Sequence, residues 1–136
     1  MKNLTKSDSF ELYESSGRLF WGMAEKYQFS TADQILLLGL NSNNRHRPIK
    51  FKHEKSIPTT DDALHRVGIL MGIHKALRII YPENPSLRYN WFLRPFTELP
   101  IGTQSPFDFL RTSPAGQCLL RMQALRALVD RVRIHG

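Results

Sequence analysis

The sequence has a single cysteine, Cys118, in 136 residues. An intrachain disulfide is therefore excluded, and so is a cysteine-rich zinc site. Long apolar runs are missing as well. No stretch approaches ~18 uncharged apolar residues, so no membrane span is expected. The opening residues, Met1 to Asp8, lack the apolar core of a secretory signal, which makes the cytoplasm the expected location. Catalytic signatures are equally scarce. The sequence contains no glycine-rich phosphate loop, no histidine pair at i, i+4 and no Gly-x-Ser-x-Gly. His46, His53, His65, His74 and His135 are scattered without metal-ligand spacing. His74 reads as a hydrogen-bonded core histidine and Cys118 as a small core hydrophobe. No catalytic residue, metal or cofactor is predicted, and the chain is not expected to be an enzyme.

What the sequence does have is a basic balance and helical periodicity. Nineteen basic against twelve acidic side chains give a net charge of +7, which favours an anionic partner such as nucleic acid or an acidic protein face. The local maximum is Arg45 to Lys55, where Arg45, Arg47, Lys50, Lys52 and Lys55 stand against Glu54 alone. With 41% apolar and 23% charged residues the chain reads as globular. At this length a domain buries roughly two-thirds of the surface its unfolded chain exposes, enough for a core without staples.

The apolar spacing predicts an all-α chain. Residues 1–9 read as a polar tail. Leu12, Leu19, Phe20, Met23 and Tyr27 mark a first helix from Phe10 to about Phe29, with Gly17 and Gly22 weakening it. A second helix starts at Thr31, with Ser30 or Thr31 as cap and a Thr31–Gln34 capping box, and ends at Gly39. Residues 41–58, with Pro48 and Pro58, read as a short element followed by a linker. Thr59 to Asp62 cap a long helix to Tyr81 that is apolar on nearly every face, hence central. Within it Gly68, Gly72 and Ala76 form a smooth ridge. Asn84-Pro85 and Ser105-Pro106 open two short helices. Ser113-Pro114 opens the last helix, to Arg133. Its stripe of Cys118, Met122, Leu125, Val129 and Val132 is either a core face or a dimer face. The expected division is an N-terminal domain, 1–58, and a C-terminal domain, 59–136.

One stretch suggests a mechanism. Residues 30–47 are arranged like a helix-turn-helix, with Thr31–Leu38 first, Gly39-Leu40-Asn41 as the turn and a second helix from Ser42. Ser42, Asn43, Asn44 and Arg45 are types that reach phosphates and base edges, and Arg47, Lys50 and Lys52 add phosphate contacts. Pro48 is expected to cut that recognition helix to about six residues. A basic turn between packing helices fits the same residues, and both readings stay open.

The segment Arg66 to Pro82 resembles the central helix of the Xre/MbcA/ParS antitoxin family. Trp91-Phe-Leu-Arg-Pro95 stands where that family's toxin-binding domain has Trp-Leu-x-x-Pro. Gly102-Thr-Gln-Ser-Pro-Phe-Asp-Phe-Leu110 resembles its Gly-x-x-Ser-Pro-x-x-x-Leu element, and Arg131 to Gly136 its C-terminus. The likeness covers about residues 60–136, with a helix-turn-helix-like region upstream as such antitoxins carry. It implies a dimeric protein that neutralises a RES-type, NAD-degrading toxin by blocking the active-site entrance with its C-terminal segment. It also implies binding of operator DNA by the N-terminal half. On that reading Arg131 and Arg133, with the carboxylate of Gly136, supply charges complementary to a toxin that accommodates an anionic pyrophosphate, and His135 belongs to the same toxin-binding tail. Ile134, Trp91 and Phe96 are then the apolar anchors. Pro48 and the apolar Phe96 to Ile101 segment depart from the family pattern. The alternatives are a stand-alone helix-turn-helix regulator and a small enzyme using His74.

Overall fold

A computed structural model describes residues 6–40, 46–95 and 104–135 of the chain. The described residues form seven α-helices and one 3₁₀ turn, with no strand among them, so the chain is all-α as its periodicity predicts. The helices are α1 (Lys6–Lys26), α2 (Thr31–Leu38), α3 (His46–Glu54), α4 (Asp61–Ile80), α5 (Pro85–Tyr89), α6 (Pro106–Arg111) and α7 (Cys118–His135). The 3₁₀ turn is Trp91–Leu93. Two compact units divide within α4, the first ending at Gly68 and the second beginning at Ile69. The expected boundary lay at 58/59; the first turns of α4 group instead with the residues before them. No helix among the described residues is long and apolar enough to cross a membrane.

In the first unit α1 begins inside the stretch expected to be a polar tail and runs through both of its glycines. Phe20, Met23, Ala24 and Tyr27 are buried, while Leu12 and Leu19, expected on the same stripe, are exposed. The glycines have different causes. A Cβ at Gly17 would strike the Lys55 carbonyl oxygen and come within 2.8 Å of the Ser56 Cα, so this helix meets another backbone there. Two residues' worth of contact follows from that approach: the Trp21 indole N–H donates to the Ser56 carbonyl at 2.7 Å, and Ile57 is buried next to it in sequence. A Cβ at Gly22, by contrast, meets nothing within 4 Å.

α2 is capped as a box, but by Ser30 and Asp33 rather than Thr31 and Gln34. The Asp33 amide donates to the Ser30 hydroxyl at 3.1 Å and the Ser30 amide donates to the Asp33 carboxylate at 3.3 Å. Gln34 is used differently: its side-chain amide donates to the Phe29 carbonyl at 3.0 Å. Gly39 ends the helix in the left-handed region, φ 71°, where a side chain would be strained. The Arg66 guanidinium covers it, donating to the Leu36 carbonyl at 3.2 Å while held by Asp62 at 2.8 Å.

α3 corrects the expectation for Pro48. The proline does not end a helix; it sits buried in the first turn of one that continues to Glu54. There its missing N–H is one of the groups a helix start leaves unpaired anyway. The segment 46–54, expected to be mostly linker, is therefore helical. Thr60 caps α4 by accepting from the Ala63 amide at 3.1 Å.

The second unit is built on aromatic contacts. Phe92 stacks on Phe107 at 4.9 Å between centroids, and Trp91 meets Phe92 edge-on at 5.0 Å. Ser105 caps α6 by accepting from the Asp108 amide at 3.1 Å, as its sequence predicts. Ser113 does not open α7. Its hydroxyl donates back to the Leu110 carbonyl at 2.6 Å, closing α6, and α7 starts four residues past Pro114, at Cys118. Met122, Leu125 and Val129 are fully buried, so that part of the stripe is core; Cys118 and Val132 are half-buried. The ridge on α4 is used in part: the Arg126 side chain of α7 lies over Gly72, and Gly68 faces open space.

The two glycines of α1 make opposite predictions. Gly17→Ala forces two backbones apart and is expected to cost about 1–3 kcal/mol. Gly22→Ala adds helix propensity in open space and should stabilise by about 0.5–1 kcal/mol. Urea denaturation of the two variants, read by far-UV circular dichroism, checks both signs.

Candidate functional site

Two regions carry the residues singled out in the sequence, one in each unit. In the first, α3 presents a basic surface. Counting along the helix, Pro48 and Phe51 turn inward, buried and half-buried, while Arg47, Ile49, Lys50, Lys52 and His53 are exposed. The Arg47 guanidinium lies 5.7 Å from the centroid of the Phe51 ring, which fixes its stem against the helix. Ile49 and His53, at i and i+4, form an outward stripe, and Lys50, three residues from both Arg47 and His53, lies beside it. Ser42, Asn43, Asn44 and Arg45 lie outside the described residues.

Ile49 is the residue that reasoning from sequence missed. It is 62% exposed in the middle of a cationic surface. Chemically, an apolar tip among cations has the character of a side chain that can meet a thymine methyl group. Its outward position became visible only once α3 was seen to continue past Pro48 to Glu54 with Pro48 and Phe51 turned inward.

In the second unit the last turns of α7 hold the C-terminal candidates. Arg131 is exposed and Ile134 is 68% exposed. Arg133 lies 3.9 Å from the Asp130 carboxylate, which also stands 3.9 Å from Arg126. These pairs are exposed enough that each contributes at most a few tenths of a kcal/mol. Residues 131–134 are thus helical, projecting from a segment whose other face is buried. Arg131 and Ile134 share one side, three residues apart. The side chain of His135, together with Gly136 and Phe96, lies outside the described residues.

Trp91 stands apart from this group. It is 3% exposed and packs against Phe92. A partner could reach it only if the second unit opened, so its part is to hold the 3₁₀ turn in the core. Arg94, in the same turn, donates to the Leu87 carbonyl and ties the turn to α5. His74 is half-buried on α4. Among the described residues no group of three or more His, Cys, Asp or Glu is placed to hold a metal ion.

Two substitutions separate surface from core. Trp91→Ala should cost about 3–5 kcal/mol. Ile134→Ser should stay within about 0.5 kcal/mol of the parent. Thermal or urea unfolding of each, compared with the parent, measures the difference.

Comparison with known proteins brings no further constraint: no protein-family model, curated protein or solved structure matches the chain.

Proposed function

We propose that this chain is the antitoxin of a toxin–antitoxin pair, acting in the cytoplasm to bind a RES-type, NAD-degrading toxin and block its active site through the end of α7. The observation that carries the reading is the pairing of Arg131 with Ile134 on the exposed side of a helix end whose opposite face is core. A cation beside an apolar side chain on a rigid support can seat an apolar anchor against the toxin while pairing with an acidic group at the rim of its entrance, with little ordering cost on binding. The resemblance of residues 60–136 to Xre/MbcA/ParS antitoxins points the same way, and its Ser105-Pro106 element is a helix start with Phe107 and Leu110 buried behind it. A homodimer is part of the same proposal.

The test is co-expression with the RES-type toxin expected from the neighbouring reading frame. The parent should restore growth and co-purify with the toxin. The Arg131→Glu, Ile134→Ser double variant should keep its melting temperature and lose rescue. Full rescue by the folded double variant would exclude the α7 end as the blocking element.

A second activity, operator binding by the first unit, is favoured by one observation: Pro48 lies in the first turn of a full helix whose outward cations are Arg47 and Lys50. This activity would give autoregulation, or a stand-alone regulator if no toxin exists. Fluorescence anisotropy with a promoter duplex should show affinity falling steeply with salt. Replacing Arg47 and Lys50 by alanine should lower the slope of log K against log salt by about two, one per phosphate contact. An unchanged slope would remove α3 from the interface.

A further inference from the structure

The first unit carries a half-open pocket of about 660 Å³ that shares only Lys52 with the basic residues of α3. Pockets that take small molecules run from about 300 to 1,000 Å³. The pocket lies beside buried aromatic rings and opens to solvent through a polar rim, the form that small-molecule sites take. Its wall includes the buried residues Trp21, Ala24, Phe29 and Gln34. Its mouth is formed by exposed Arg18, Glu25, Gln28, Lys52 and Lys55. Three cations and one carboxylate therefore stand around an apolar floor.

The backbone at the mouth is unusual in a related way. Gln28 and Lys55, with φ 55° and 51°, are the two non-glycine residues of positive φ among those described, and both line the cavity. Each closes the C-terminal end of a helix. The Phe29 amide donates to the Ala24 carbonyl at 2.9 Å, and the Ser56 amide to the Phe51 carbonyl at 2.9 Å. Glycine usually holds that position because a side chain there is strained. The chain instead keeps a long polar side chain at both places, and both reach the same hollow. The two left-handed helix ends thus place both side chains at the rim of the same pocket.

We infer that the cavity binds a small aromatic carboxylate, its ring against Trp21 and Phe29 and its anionic head at Arg18, Lys52 and Lys55. Charge complementarity selects the class: the mouth attracts an anion, and the floor rewards a planar apolar body that inorganic anions lack. This inference stands apart from the antitoxin reading and uses none of the α7 residues.

The probe is 1-naphthoate, titrated into the full chain and followed by two-dimensional ¹H–¹⁵N spectroscopy. Saturable one-to-one binding is expected, with a dissociation constant below about 1 mM. Shifts should concentrate at the Trp21 indole, Gly22 and the Gln34 side-chain amide, leaving the Trp91 indole in place. Lys55→Gly should keep or raise the melting temperature, because it relieves the left-handed backbone, yet weaken binding by about fivefold or more. Lys52→Gln should weaken it similarly. Gly22→Leu fills open space in the cavity and should abolish binding in a protein that still folds. The inference is overturned by no saturable binding, by equal affinity for the neutral 1-naphthalenemethanol, by shifts centred on Trp91, or by parent-like binding in folded Gly22→Leu.

Discussion

The first unit depends on one close approach of two backbones. Gly17 lets α1 come against the carbonyl of Lys55 and the Cα of Ser56, at a distance no side chain would allow. Much else follows from that contact. The turn after α3 is held tightly enough for the Trp21 indole to reach the Ser56 carbonyl. Lys55 is carried into the left-handed region, where it ends the helix. Ile57 is delivered to the core immediately afterwards. The orientation of α3 is therefore set from its C-terminal end, and with it the outward placing of Arg47, Ile49 and Lys50. A conformationally costly glycine within a helix, which weakens α1 when read alone, is the residue that positions the surface on another helix.

How far the fold could be read from sequence varied with how local the deciding interaction is. Gly39, Ser105-Pro106 and Asn84-Pro85 act on their immediate neighbours, and each terminates or starts a helix where its spacing predicts. Ser113-Pro114 has the same letters and a different outcome, because the Ser113 hydroxyl is taken by the preceding helix. Nothing in the dipeptide says which neighbour will claim it. Pro48 shows the same ambiguity on a larger scale. Proline ends a helix that began before it and starts one that begins beside it. Ser42, Asn43 and Asn44 are all good caps, so sequence alone gives no unique origin from which to decide. Ile49 stayed hidden for the same reason, because its outward position follows from a helix that continues through Pro48 with Pro48 and Phe51 turned inward.

The candidate site was legible to the extent that it rests on charge. Arg131, Arg133, Arg47 and Lys50 remain exposed because burial of an arginine or lysine without a partner is costly, so composition locates them well. The aromatic anchors are harder. Trp91 and an exposed tryptophan look alike in sequence, and only the packing of Phe92 and Phe107 beside it decides that it belongs to the core. The rim of the cavity was illegible for another reason. The positive φ of Gln28 and Lys55 is imposed by hydrogen bonds that close α1 and α3, at residues with no sequence preference for that conformation.

Lys52 belongs to both proposed uses of the first unit, as a basic residue of α3 and as part of the cavity mouth. The magnitude of the coupling this allows can be bounded. Two unit charges about 4 Å apart in water interact by about 1 kcal/mol, and salt reduces that further. A bound carboxylate acting on Lys52 through charge alone would therefore change affinity for DNA by about fivefold at most. A larger effect would require α3 itself to move. The structure resists such movement at its C-terminal end, where Gly17 and Trp21 grip Lys55 and Ser56, so occupancy of the cavity and exposure of the outward stripe are nearly independent. On these contacts the cavity is a binding site in its own right, and its ligand is a poor switch for α3 unless it first breaks the grip of α1.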